Sequence, residues 1–173
     1  MDLYSKIRDI KDFPKEGIVF KDITTLLKDP EALKHTIDSM AGKFADKKID
    51  VVVGAESRGF IFGAAVACKL GAGFVPARKP GKLPHDTISE SYELEYGTDA
   101  IEMHKDAIEK GQNVLIVDDL IATGGTVKAV CGLVEKLGGN ISGVVFLIEL
   151  AFLKGRDKIN GYTIESLMTY AGE

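Results

Sequence analysis

A chain of 173 residues with 45% hydrophobic and 28% charged side chains suits one folded domain and excludes a disordered or low-complexity architecture. With a formal net charge of −4, nucleic acid is not the expected main partner, because a surface that tracks phosphates usually needs net positive charge. The two cysteines, Cys68 and Cys131, lie far apart in apolar stretches, which excludes a disulfide framework or a cysteine zinc site.

The N-terminal stretch MDLYSKIRDIKDFPK carries charges throughout and has no apolar signal core, and no later run approaches a membrane span. A reduced, cytoplasmic, soluble protein with no membrane partner is the expectation. Apolar positions in LYSKIRDI fall at helical spacing and predict a short amphipathic helix. FPKEGIVFKDIT then reads as a Pro/Gly-punctuated loop running into a short apolar extension, a small N-terminal hood. Asp29-Pro30-Glu31 is a helix start, with a capping side chain, proline in the first turn and an acid near the positive dipole end; helix is predicted to about Lys47.

IDVVVGAES predicts a strand buried on both faces, GFIFGAAVACKL an apolar helix and GFVPA a further strand. From Arg78 to Gly97 the chain turns basic, Pro/Gly-broken and then alternately acidic and apolar, which reads as a lid loop. TDAIEMHKDAI holds a strand and a turn. QNVLIVDDLIATGGT is strand, acidic pair and glycine-rich loop; TVKAVCGLVEKLGG is a helix ended by two glycines. ISGVVFLIEL is a last central strand and GYTIESLMTY an edge strand. The alternation predicts one α/β domain with an open, mainly parallel twisted sheet and helices on both faces.

Chemistry concentrates in VLIVDDLIATGGT, residues 114–126. Apolar strand residues end in Asp118-Asp119, at the carboxyl edge where open α/β sheets bind ligands. Ala122, Thr123, Gly124, Gly125 and Thr126 then turn into a helix, offering backbone N–H groups, two hydroxyls and a helix dipole to a phosphate monoester. The carboxylates would repel that phosphate, but they suit sugar hydroxyls or a magnesium ion shared with a polyphosphate. Either acids or glycines alone would be an ordinary strand end or turn; together they describe a site for a ribose 5-phosphate. Other readings fail: Gly54 to Gly59 has nucleotide-binding P-loop spacing, but Phe60-Ile61 follow instead of Lys-Ser/Thr. The histidines His35, His85 and His104 are scattered, with no HExxH metal motif.

This string resembles the phosphoribosyl pyrophosphate (PRPP) signature of the type I phosphoribosyltransferase family. FPKEGIVFKDIT at 13–24, GAESRGFIFG at 54–63, RKPGKLP at 78–84, YELEYG at 92–97 and LIELAFLKGRDKI at 147–159 are similar to its adenine-using branch, so the resemblance runs from about Phe13 to Ile159. It implies that Asp118 and Asp119 hold the ribose hydroxyls and that Ala122 to Thr126 hold the 5′-phosphate. Glu56, Ser57 and Arg58 match the pyrophosphate loop, which carries a non-proline cis peptide in many relatives, here between Glu56 and Ser57. Val19, Phe20 and Lys21 match the adenine pocket, with Phe20 stacking on the base. Lys21 departs from the family, where many relatives have Arg, replacing a planar five-donor fork with a point charge.

The resemblance also implies that Arg78, Lys79, Lys82, His85 and Tyr96 help to bind pyrophosphate, with Arg78 reaching across a homodimer interface. Glu95 would move the purine ring proton, and Arg58 would join it in catalysis. The expected activity is purine salvage: adenine and PRPP give AMP and pyrophosphate through an oxocarbenium-like transition state. Mg²⁺ is the expected cofactor, bound mainly through PRPP and not by a protein metal site. A phosphoribosyltransferase for another nucleobase and a non-catalytic PRPP-sensing regulator are the alternatives.

Overall fold

The computed structural model of the chain describes residues 1–94 and 97–172. Its centre is a parallel sheet of five strands, in the order β4 (Gly73–Ala77), β3 (Val51–Ala55), β7 (Asn113–Ile121), β8 (Asn140–Leu150) and β9 (Ile164–Tyr170). The uniformly apolar strands are explained by burial on both faces. Val51, Val53, Val114, Ile116, Val144 and Phe146 face one core, whereas Val52, Leu115, Val117, Val145 and Leu147 face the other.

Helices α2 (Pro30–Gly42) and α3 (Gly59–Leu70) cover the second face. Helix α4 (Gly125–Lys136) covers the first face. The open α/β sheet with helices on both faces is therefore present. No helix among the described residues is long and apolar enough to cross a membrane.

Three expected elements differ in form. The N-terminal helix is reduced to one 3₁₀ turn, Tyr4–Lys6, followed by β1 (Arg8–Lys11), which pairs antiparallel with β2 (Val19–Asp22). Cross-strand charge pairing outweighs the helical spacing: Arg8 faces Asp22 and donates to its carboxylate at 2.9 and 2.5 Å, and Lys21 faces Asp9 at 2.9 Å. Bonds to Thr24 and then to Arg8 pull the Asp22 carboxyl down to about 2. This hairpin is the expected hood, and it leads into the short helix α1 (Thr24–Leu27).

Helix α2 starts as predicted. The Asp29 carboxylate accepts from the N–H groups of Glu31 and Ala32 at 3.0 and 3.1 Å, and Pro30 follows it. It stops at Gly42, short of Lys47, and the chain tightens into turns that carry Phe44 into the core. Gly143 of β8 leaves room for that ring, because a Cβ there would lie 2.2 Å from Phe44 Cε1.

The predicted lid loop is in large part a hairpin. After an irregular stretch, β5 (Thr87–Leu94) pairs antiparallel with β6 (Gly97–His104) along its whole length. The alternation read in the sequence is its two-sidedness: Ile88, Tyr92, Ile101 and Met103 pack with α4 in the first core. Glu95 and Tyr96 lie outside the described residues.

Candidate active site

Strands β3 and β7 are neighbours, in register from Val51↔Val114 to Gly54↔Val117. From β3 the chain crosses through α3 to β4 on one side. From β7 it crosses through α4 to β8 on the other. Right-handed crossovers in opposite directions put the helices on opposite faces, so the turns after β3 and β7 face one crevice at the carboxyl edge. A cleft of about 460 Å³ lies there, lined by Glu56, Ser57, Arg58, Lys79 and the run Asp118 to Val127. That volume falls in the range of small-molecule sites.

The turn after β3 contains the cis peptide expected between Glu56 and Ser57, and Arg58 precedes the first turn of α3. Strand β7 does not end at the acidic pair but continues to Ile121, because the longer β8 keeps pairing through Ile121↔Glu149. Asp118 and Asp119 therefore sit on ordered strand. Asp118 Oδ1 accepts the Asp119 N–H at 2.8 Å and lies against the start of α3, where a Cβ on Gly59 would approach it to 2.7 Å. Burial pushes the Asp118 carboxyl well up, and the adjacent Asp119 charge adds to this.

Asp119 is buried and accepts a hydrogen bond from Arg58 Nε, which ties the two turns together across the crevice. Burial opposes the guanidinium charge, but Asp119 and the field of Asp118 outweigh it and hold Arg58 above its ordinary value. The Arg58 guanidinium also lies 5.9 Å from the centroid of the Phe20 ring, which brings the hood to the cleft. Phe13 packs edge-on to Phe20 at 5.2 Å.

The loop after β7 approaches α4 through Gly124, with φ +81°, and opens the helix at Gly125. Gly124 can be nothing larger. A Cβ there would lie 2.4 Å from the Gly155 carbonyl oxygen, and a Cβ on Gly155 would lie 2.4 Å from the Ala122 oxygen. The segment after β8 thus supports the glycine-rich loop backbone to backbone. Gly59 and Gly155 fall inside the family-like strings at 54–63 and 147–159, but what each does in the site is a contact with a distant segment that the sequence does not show.

The basic cluster gathers on Glu56. Its carboxylate accepts from Lys82 Nζ, from the Lys79 N–H at 2.9 Å and from Arg78 Nε at 3.3 Å. Burial alone would raise the Glu56 carboxyl, but these donors hold it below the usual carboxylate range. Lys79 reaches the cleft. His85 is placed elsewhere: its N–H meets His104 Nε2 at 3.3 Å and its ring lies 4.0 Å from Asp106. On β2, Phe20 points toward Arg58, whereas Lys21 points away, its ammonium on Asp9 and 4.4 Å from the Tyr170 ring centroid. Val19 is half-buried opposite Lys11.

Comparison with known proteins agrees with this geometry, and places the chain first among phosphoribosyl transferase domains: that family matches residues 22–165. The adenine phosphoribosyltransferase of Acetivibrio thermocellus is 63% identical over 171 residues, covering 98% of this chain and 100% of that one. A crystal structure of adenine phosphoribosyltransferase from Thermoanaerobacter pseudethanolicus superimposes with a TM-score of 0.95 at 54% identity, over 98% of both chains. The Saccharomyces cerevisiae enzyme, complexed with an imino-altritol bisphosphate and adenine, superimposes with a TM-score of 0.91 at 45% identity, over 96% of both chains. The chain belongs to the adenine phosphoribosyltransferases of the type I phosphoribosyltransferase family.

The contact between Gly124 and Gly155 generates one prediction. Gly124→Ala forces a side chain into both a positive φ and the Gly155 carbonyl. AMP affinity should fall by at least about tenfold, the scale set by a left-handed alanine alone, with the backbone clash adding to it. Calorimetric titration of AMP checks this; unchanged affinity would show that the loop does not grip a phosphate.

Proposed function

We propose that the protein forms AMP and pyrophosphate from adenine and PRPP, a purine salvage reaction. The observation that carries this reading is the placement of Asp118 and Asp119, the Ala122–Thr126 loop, Arg58 and Lys79 around one cleft. Full-length similarity to adenine phosphoribosyltransferases supports adenine as the base.

PRPP carries anions at both ends and hydroxyls between, and the cleft matches that order. The 5′-phosphate lies on the N–H groups and hydroxyls of residues 122–126, at the N-terminus of α4. Asp118 and Asp119 accept from the ribose hydroxyls, and the negative charge that the pair shares favours the cationic character that develops at the anomeric carbon. The diphosphate lies toward Ser57, Arg58 and Lys79, with Lys82 held nearby on Glu56. These cations stabilise the leaving group as its bond to the sugar breaks. Adenine stacks beside Phe20, which the Arg58 contact places next to the cleft, and its ring nitrogen is held behind the anomeric carbon. Lys21, turned toward Asp9 and Tyr170, supports the hood rather than touching the base.

Mg²⁺ belongs to this proposal. Among the described residues no group of three or more His, Cys, Asp or Glu gathers that could hold a metal by itself. Asp118 and Asp119 are hard oxygen donors of the kind that bind Mg²⁺ together with substrate phosphates, so the residues fit an ion that arrives on PRPP. When bound, it supplies neutralising charge to the diphosphate. The free thiols Cys68 and Cys131 fit a reducing, cytoplasmic setting.

The direct test incubates the purified protein with PRPP, Mg²⁺ and each nucleobase separately. AMP should form from adenine, and hypoxanthine and guanine should lag by about 10⁴ or more, because a 6-oxo group leaves the polar partners of a 6-amino group unpaired. Comparable turnover of a 6-oxopurine overturns the base assignment. Glu95 takes its role as the group that moves the purine proton from the family resemblance. Glu95→Gln keeps the size and removes the base, so its single-turnover rate should fall by about 10²–10⁴. A rate within a few-fold of wild type would remove Glu95 from the chemistry. We also propose a homodimer with Arg78, held on Glu56 outside the lining of its own cleft, facing the partner's site, a role taken from the family resemblance. Sedimentation as a dimer is the expected result, and sedimentation as a monomer overturns it.

A further inference from the structure

Lys79 is a flexible four-carbon arm, yet its ammonium is held in one place by Tyr92, which opens the string at 92–97, and Asp99, neither of which has a role in the site described above. Lys79 Nζ donates to the Tyr92 hydroxyl oxygen at 2.7 Å and to Asp99 Oδ2, and the Tyr92 hydroxyl donates to the same Asp99 oxygen at 3.3 Å. The three groups close a ring of hydrogen bonds. Tyr92 and Asp99 face each other directly across the β5–β6 hairpin, and Asp99 Oδ1 is itself fixed by the Ala100 N–H at 2.8 Å. An ammonium has three donors. Two are taken by this pair, which leaves one for an anion in the cleft that Lys79 lines.

Tyr92 has a second contact. A Cβ on Gly125, the first residue of α4, would lie 3.2 Å from Tyr92 Cδ2, so the ring also backs the glycine-rich loop. One side chain therefore touches both ends of the proposed PRPP site, its hydroxyl at the diphosphate end and its ring at the 5′-phosphate end. The Lys79 charge is secure in this setting. Burial opposes it, but Asp99 and Tyr92 outweigh that and hold the ammonium above its ordinary value.

We infer that Tyr92 and Asp99 are positioning residues that aim the Lys79 ammonium at the diphosphate of PRPP. The inference rests on the proposed function and deepens it. A lysine binds a polyanion as a mobile point charge unless something orders its stem. Here the carboxylate and the phenol order it in advance, so little freedom is lost when the diphosphate arrives. The cost is partial neutralisation of Lys79 by Asp99. Its benefit is selective for the diphosphate end, because AMP has no group there.

Tyr92→Phe isolates the effect: it changes no charge and keeps the ring against Gly125. Pyrophosphate and AMP affinities, measured by calorimetric titration with Mg²⁺ present, should separate. Pyrophosphate should bind about 3–10-fold more weakly, the scale of one ordinary net hydrogen bond, since Asp99 still holds Lys79, while AMP stays within about twofold. In a Lys79→Met background the same Tyr92→Phe change should no longer affect pyrophosphate, since the group it positions is gone. An unchanged melting temperature for Tyr92→Phe would show that the fold is intact. Equal weakening of AMP and pyrophosphate would overturn the inference and make Tyr92 a support of the glycine-rich loop. Unchanged pyrophosphate affinity, or a loss that persists without Lys79, would overturn it too. Wild-type protein that bound neither ligand would instead defeat the proposed function itself.

Discussion

Everything chemical in this molecule follows from the divergence of the chain at β3 and β7. The two strands lie side by side and point the same way, but their crossover helices leave in opposite directions. Their carboxyl-edge turns consequently open onto one crevice instead of being covered by a crossing connection. Arg58 from one turn and Asp119 from the other then close a charge-assisted bond across that crevice. The pair fixes the spacing between the two turns, and every other candidate residue is placed relative to it.

The cations of the cleft share a second constraint. Arg58 is held by Asp119, Lys79 by Asp99, and Lys82 and Arg78 by Glu56. The cation of each pair is part exposed, so solvent screening and the entropy of ordering a long side chain limit what the pairs add to stability. Their value lies in direction. Each carboxylate fixes where a flexible cation points, and Glu56, nearly buried, gathers donors from a stretch that has no regular structure of its own. A negatively charged protein can thus present oriented cationic donors, each steadied by a carboxylate, to a polyanion.

Close backbone approach is the third element. Gly59 lets α3 begin against Asp118, and Gly124 and Gly155 let the loop after β7 rest on the segment after β8. At these points even a methyl group would separate segments that must touch. The hood adds Phe20 from outside the sheet, held by the cross-strand ion pairs of β1 and β2.

The local sequence determined much of this. Strands β3, β7 and β8 announce themselves as apolar runs because both their faces are buried, and α2 announces its start through Asp29 and Pro30. The acidic pair and glycine-rich turn are also legible, since strand end, carboxylates and helix start are consecutive in the chain. Other features were decided only by the tertiary structure. Helical spacing in LYSKIRDI yields to pairing with β2, and the apparent lid loop becomes a hairpin because α4 offers it an apolar face. His85 and Lys21 have the right chemistry and neighbourhood in sequence, but the fold turns them toward His104 and Asp9. Tyr92, Asp99, Gly59 and Gly155 enter the site through partners up to dozens of residues away. Spacing along a chain encodes which residues share a strand face or a helix turn; it does not encode which separate segments meet, and that is settled by the packing of the sheet and its two cores.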